Sequence, residues 1–428
     1  MTKPSPISYW LASAPDFTGG AKGSPEGRVD VAIIGGGLTG LSAALALRQR
    51  GASVTLLEAG KVVGEASGRN GGHCNAGTHQ DHGALVASLG EERASAFYRA
   101  HCDAVDTVER IVREQGIDCA FRRCGRLKLA AKPQHFEKMM RAHNLLHPRV
   151  DPDIDLLSAS DLEREIGTHG YHGGLLQKTS AQLHVGQFGV GLAEAAARAG
   201  AKIFENCTVL GAQRSGSGWA LRTTGGTVHA SQVLMATGGA PAQSDFRWFQ
   251  RRLVGIGAFI VATSPLDPAL IDRLLPQRRN YVTSRVMGNF FRLSPDNRLI
   301  FGGRARFAIS NAKSDAKSGV ILVDTMRRMF PELADVGVDH VWGGMVDMTA
   351  DRLPRAGQHE GLYYAVGYSG HGVQMAVHMG QKMADYMGGD TRANPWEDLG
   401  WPAIPGHLGK PWFLPAVGLW YKFQDAIH

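Results

Sequence analysis

Short apolar runs that stop at glycines punctuate the chain. Val31 to Ile34 runs into Gly35-Gly36-Gly37, Val233 to Ala236 into Thr237-Gly238-Gly239, and Leu362 to Val366 into Gly367-Tyr368-Ser369-Gly370-His371-Gly372. An apolar run bounded by turn residues reads as a buried strand, and a helical apolar period after it as a helix. On that reading Arg28–Ile34 is a strand, Leu38–Arg50 a helix closed by Gly51, and Ser53–Leu57 a second strand followed by Glu58. Val105, Val108, Ile111 and Val112 set a helical period within residues 84 to 147, which a strand at Arg126–Ala130 interrupts. Val185–Ala199 is an alanine-rich helix, Ala201–Phe204 a strand leading to Val209, and Trp219–Thr224 pairs with Thr227–Ala230 around Gly225-Gly226. Val233–Ala236 is a separate buried strand. Residues 250 to 307 read as strands at Leu253–Ala262, Tyr281–Val286, Phe290–Leu293 and Arg298–Phe301. Period-two alternation puts Phe290 and Arg292 on one face of such a sheet, as a pocket wall. Helices follow near Val320–Phe330 and up to Met387, and residues 1 to 27, rich in Pro, Gly and Ser, read as an extended arm.

The first strand–loop–helix unit carries specific chemistry. Gly35, Gly37 and Gly40 have the G-x-G-x-x-G spacing. The first glycine permits the turn, the second lets a pyrophosphate reach the backbone, and the third lets helix and strand pack closely. Glu58, about 20 residues further on, sits where a carboxylate accepts both ribose hydroxyls of a dinucleotide. The stretch from Gly64 to His79 has almost no bulk to bury, so it is either a mobile surface loop or wrapped around a ligand. Its place right after the second strand favours the ligand. The 367–374 cluster is a third place where backbone N–H groups and a helix N-terminus meet a ligand.

Composition narrows the class. The 428 residues suffice for two or three domain-sized units, and 43% hydrophobic with 20% charged residues is an ordinary soluble balance. No run approaches the roughly 18 apolar residues of a membrane span. Met1 to Pro15 has no apolar signal core, so a cytoplasmic location is the expectation. The net charge of +7 is scattered, and no nucleic-acid motif accompanies it, although a positive field can draw an anionic substrate. The five cysteines, without a C-x-x-C, read as reduced packing thiols. His143 and His147 stand one helical turn apart with no third ligand apparent, so no metal site is expected.

With these clusters in view the chain resembles the FAD-dependent amine oxidoreductases of the D-amino-acid oxidase superfamily, most nearly the branch that contains gamma-glutamylputrescine oxidase. The resemblance rests on residues 34 to 40, Glu58-Ala59-Gly60, Ala66 to Gly72, Ala236-Thr237-Gly238, Trp342-Gly343-Gly344 and Tyr368 to Gly372. It implies an α/β fold in which a Rossmann-like FAD-binding domain (28–83, 152–245 and 338–390) is interrupted by an α+β substrate domain (84–151 and 246–337) with a large antiparallel sheet. Residues 391–428 remain as a C-terminal tail. It also implies FAD as cofactor. Gly35, Gly37, Leu38, Thr39 and Gly40 then serve the pyrophosphate, with Glu58 and Ala59 on the adenosine ribose. Ser67, Arg69, Asn70, Gly71 and Gly72 run along the pyrophosphate and flavin. Val209 meets the adenine through its backbone, and Thr237 and Gly238 complete the cofactor wall. Gly370, His371, Gly372, Val373 and Gln374 meet the pyrimidine end of the isoalloxazine. Gly344 stands near the position where sarcosine-type relatives carry a cysteine linked covalently to the flavin, a link that glycine cannot form, and Gln374 near the position where some of them carry a lysine that helps oxygen react. His73 replaces a residue that is often glutamine, as a pocket wall or a histidyl attachment point.

The function this implies is oxidation of a small-molecule amine: hydride transfer from the α-C–H to flavin N5, hydrolysis of the imine, and reoxidation by oxygen to hydrogen peroxide. A gamma-glutamylated polyamine is one candidate substrate, with N-methyl amino acids and D-amino acids as others. His371 and His73 are the candidate catalytic groups, by pKa type. Arg292 is the candidate partner of a substrate carboxylate. Two alternatives stand beside this reading. One is a dehydrogenase that passes electrons to a quinone, suggested by the aromatic tail from Trp412 to Phe423, which could lie on a membrane or dock on the body. The other is a non-catalytic flavin-binding subunit.

Overall fold

The three glycine clusters leave the same edge of one sheet. In the computed structural model, which describes residues 4–147, 149–239, 246–303 and 305–427, strand Gly27–Ile34 pairs in parallel with Val54–Leu57 on one side and Thr227–Met235 on the other. Leu362–Val366 adds to Thr227–Met235, also in parallel. Their C-terminal ends therefore lie side by side, where an open parallel sheet binds its ligands. Helices Leu38–Gln49 and Gly372–Met387 pack on each other at Gly380, where a Cβ would stand 2.5 Å from the Thr39 carbonyl oxygen. Thr227–Met235 is one strand rather than the two expected segments. Its partner Gly27–Ile34 runs beside it from Val228 to Met235 and carries it through the polar pair Ser231 and Gln232.

A second sheet stands beyond that edge. Its order is Val338–Met348, Val254–Thr263, Leu299–Gly303, Asn289–Leu293, Asn280–Thr283, Arg126–Leu129, Gly174–Gln177 and Ile154–Leu157. All neighbours are antiparallel except the central joint of Asn280–Thr283 with Arg126–Leu129, which is parallel, so the expected antiparallel sheet is mixed. Alternation sorts its faces. Phe259, Val261, Tyr281, Phe291, Phe301, Leu127 and Leu129 face one core with Leu322 and Met326 of helix Ala312–Met329. Tyr281, Phe291 and Phe301 stack in a row, with centroids 5.2 and 5.6 Å apart. The opposite face looks toward the first sheet. Helix Ala312–Met329 starts earlier than its apolar period suggests, because the Asn311 side chain accepts the Ser314 N–H at 3.0 Å and caps it there.

The expected domain boundaries shift accordingly. Ile154–Leu157, Gly174–Gln177 and Val338–Met348 belong to the second sheet, although residues 152–245 and 338–390 were assigned to the FAD-binding domain; residues 240–245 of that range lie outside the described residues. Helix Glu91–Gln115, assigned to the substrate domain, shares the core of the first sheet's helices through Phe97, Val105 and Val108. The described part of the N-terminal arm is docked on the body. Trp10, in the turn of helix Tyr9–Ala12, is wholly buried. The tail forms helix Leu414–Ile427, with Leu414 buried while Leu419, Trp420 and Phe423 are exposed. Among the described residues no helix is long and apolar enough to cross a membrane.

Candidate active site

Between the two sheets lies a cavity of about 970 Å³. At one end it begins at the first glycine loop. Gly35 has φ +110°, and a Cβ on it would stand 2.6 Å from the Ala236 carbonyl oxygen. A Cβ on Gly40 would be 2.0 Å from the Gly35 oxygen, so this glycine serves helix–strand packing behind the wall. Gly37 borders the cavity itself. Glu58 accepts the N–H of Gly36 at 2.6 Å on one carboxylate oxygen and that of Gly60 at 2.8 Å on the other. Each oxygen keeps a lone pair for a ribose hydroxyl. Ala59, Val209, Thr237 and Gly238 continue the wall.

The glycine-rich stretch after the second strand is held rigidly. The carbonyls of Gly68, Arg69, Asn70 and Gly71 each accept a side-chain donor: Ser8 Oγ (2.7 Å), Trp342 Nε1 (2.9 Å), Trp10 Nε1 (2.7 Å) and Arg292 Nε (2.9 Å). Arg69 Nε returns a bond to the Gly343 carbonyl at 2.6 Å. Four buried polar partners leave no room for a mobile loop. Ser67 Oγ accepts the Leu38 N–H at 3.1 Å, which ties this stretch to the start of the first helix.

Arg292 does not reach a substrate carboxylate as its residue type suggests: it is 1% exposed and does not border the cavity. It donates to Gly71 and Leu183 carbonyls, the latter at 2.7 Å, and its cation lies 4.8 Å from the Trp10 ring centroid. A Cβ on Gly72 would strike it, so Gly72 is also a packing residue behind the wall. Phe290, on the same face as Arg292, does border the cavity, as alternation required. Gln374 likewise does not border the cavity: its side chain donates to the carbonyl of Asn75, which does, at 2.5 Å. The other predicted cofactor residues of that cluster, Gly370, His371, Gly372 and Val373, border it.

The far end of the cavity is basic. In Arg126–Leu129 the leucines enter the core, so Arg126 and Lys128 point into the cavity. Among the described residues neither has a carboxylate in ion-pair contact. Arg126 donates to Gln177, which donates to Tyr98, which donates to Asp151. Its Nε has no partner among the described residues. Burial and the Arg126 cation pull Lys128 down to about 8. Sequence reasoning missed both residues. The signal was the Arg-Leu-Lys-Leu alternation, which identifies a cation-bearing face once the strand is known to sit in a pocket wall.

His371 caps helix Gly372–Met387, and neither ring nitrogen has a partner among the described residues. Its ring lies 5.3 Å from His79 and 6.4 Å from His101, edge to face. Burial, reinforced by His79, Arg126, His101 and Lys128, holds His371 well below the usual histidine range. Burial, then the Arg292 cation, pulls His73 down to about 3. His73 packs edge to face on Phe290 at 5.3 Å. Both imidazoles are therefore neutral near pH 7. They are hydrogen-bonding groups there rather than strong bases.

The cavity fits a dinucleotide that ends in a polar ring system: a glycine cradle, a ribose-type carboxylate, a rigid loop, and unpaired buried nitrogens where the ring would end. Known proteins agree. A profile of the family described as FAD dependent oxidoreductase (DAO) matches residues 30–386. The chain is 31% identical to a probable oxidoreductase OrdL of Rhizobium meliloti, over 100% of both chains. It is 27% identical to gamma-glutamylputrescine oxidoreductase of Escherichia coli, over 98% of both. Its fold is like that of glycine oxidase from Geobacillus kaustophilus, with a TM-score of 0.70 over 90% of this chain and 99% of that one, at 23% identity. With the fold, the cradle and these similarities in agreement, the chain belongs to the DAO family of FAD-dependent oxidoreductases.

Proposed function

We propose that the chain oxidises the C–N bond of an amine that also carries a carboxylate, with oxygen as the final electron acceptor and hydrogen peroxide as product. Gamma-glutamylated polyamines are the favoured class, on similarity to the Escherichia coli relative. N-methyl and D-amino acids share the same pair of groups. The observation that carries the reading is the pair Arg126 and Lys128, cations on the cavity wall without a carboxylate in contact among the described residues. Partial burial costs a cation hydration until a counter-charge meets it, and a substrate carboxylate is such a charge.

When bound, FAD supplies the two-electron acceptor for the amine α-C–H. The residues of this chain do the rest. Arg126 and Lys128 bind the carboxylate and fix the orientation of the amine. Phe290 and His73 close one side of the reacting region against water. The amine arrives mostly protonated, and neither His371 nor His73 is basic enough to take its proton. The field of Arg126 and Lys128 lowers the pKa of the ammonium, so that its proton passes to solvent water as the amine enters the cavity. The neutral His371 can then accept a hydrogen bond from the free amine or donate one to the ring system. Arg126→Gln keeps a polar group and removes the charge. It should raise KM for a carboxylated amine roughly tenfold or more, and change KM for the matching methyl ester much less. A peroxide-coupled assay under air, run beside dye reduction without oxygen, reads this. Dye reduction without peroxide would favour a quinone-type acceptor over oxygen.

A further inference from the structure

The tail helix Leu414–Ile427 does more than cover the surface. Leu414, Gly418 and Tyr421 recur at helical spacing on its inner side. Gly418 lets the helix lie against Phe307, since a Cβ there would already be 3.0 Å from the Phe307 Cβ. Tyr421 stacks on the Phe307 ring with centroids 5.2 Å apart and an interplanar angle of 28°. Tyr421 and Gln424 both border the cavity. Beneath them, Arg352 donates from one guanidinium nitrogen to Tyr421 Oη and from another to His79 Nε2, each at 3.0 Å. Since arginine only donates, His79 Nε2 is the acceptor. The His79 ring meets His371 edge to face. Arg352 holds this bridge with φ +60°, a left-handed conformation that non-glycine residues rarely adopt.

We propose that this helix is a wall of the substrate end of the cavity, and that Tyr421 and Gln424 are specificity-determining residues that meet the part of the substrate remote from the oxidised C–N bond. The line Tyr421–Arg352–His79 makes Tyr421 a positioning residue for His371 as well. The wall follows from geometry alone, whereas the selecting role rests on the amine-oxidation reading, so the test separates them.

The wall is tested without any amine, by anaerobic reduction of bound FAD with dithionite. Tyr421→Ala should open the cavity and speed this reduction by about threefold or more. Tyr421→Phe keeps the ring and should leave the rate near that of the parent, as should Leu419→Ala on the exposed face. Should Tyr421→Ala fail to retain FAD, Gln424→Trp decides in its place, since it narrows the opening and should slow reduction by a similar factor. Unchanged rates in both Tyr421→Ala and Gln424→Trp would overturn the wall. The selecting role is read from KM and kcat across amines of different length. Tyr421→Ala should change KM ratios between long and short amines about tenfold while kcat for a given amine moves less. Equal KM shifts for every amine would overturn it. If the parent protein turns over no amine, the amine-oxidation reading and the selecting role fall together, and the dithionite rates still decide the wall.

Discussion

Gly37→Val should yield a folded protein without FAD, with affinity for the cofactor lowered by roughly a thousandfold or about 4 kcal/mol. The three glycines respond differently to a side chain. A side chain on Gly35 or Gly40 would strike backbone, at 2.6 and 2.0 Å, and damage the strand–helix unit itself. Gly37 differs. Its φ is −83°, which any residue adopts, and a Cβ there meets only Ser67 Oγ, at 2.9 Å. That hydroxyl can rotate away at the cost of its bond from the Leu38 N–H. The added isopropyl group then occupies the space the pyrophosphate requires. Titration of FAD into the apoprotein measures the loss, and far-UV circular dichroism checks the fold. Retained yellow protein with ordinary affinity would mean that the cofactor does not cross this glycine.

Arg292→Ala should destabilise the protein by about 3 kcal/mol or more and loosen FAD, without a selective effect on KM for any amine. The guanidinium supplies donors to the Gly71 and Leu183 carbonyls and packs on Trp10. Its removal leaves two buried acceptors unpaired, each worth about 1–3 kcal/mol, and a void under the indole. Denaturant unfolding of holoprotein and apoprotein checks this. A variant of normal stability with a raised KM for carboxylated amines would instead restore Arg292 to the substrate site.

The contrast between Arg292 and Arg126 shows what was legible in the sequence. Both sit on strands, and alternation assigns each to a face. Alternation does not say which loop lies on that face. Arg292 is covered by the 66–72 stretch, whose Gly71 carbonyl takes one of its donors while the Leu183 carbonyl takes another, and only the tertiary fold brings residues 71, 183 and 292 together. Arg126 belongs to a strand joined in parallel to Asn280–Thr283, a long-range pairing that nothing in the local pattern announces. By contrast, the glycine clusters at 35–40 and 367–372 were readable because their function is local: strand, turn and helix start follow one another in the chain. The docking of the arm within residues 1 to 27 is not local in that way. The arm's composition is that of a loop, and Ser8, Tyr9, Trp10 and Thr18 anchor it by hydrogen bonds to residues far away in sequence.

The tail illustrates the same limit. Crowded aromatics leave open whether it lies on a membrane or docks on the body, and the helix docks one of its faces. Tyr421 and Gln424 turn to the cavity, while Leu419, Trp420 and Phe423 remain exposed.

The most direct test of the central claim is anaerobic mixing of the FAD-loaded protein with gamma-glutamylputrescine, sarcosine and D-alanine, each beside its carboxyl methyl ester, while the visible flavin absorbance is followed. Carboxylated-amine oxidation predicts that at least one free acid bleaches the flavin, that its ester does so far less effectively, and that Arg126→Gln reduces the difference. A flavin that dithionite reduces but none of these amines bleaches would contradict it.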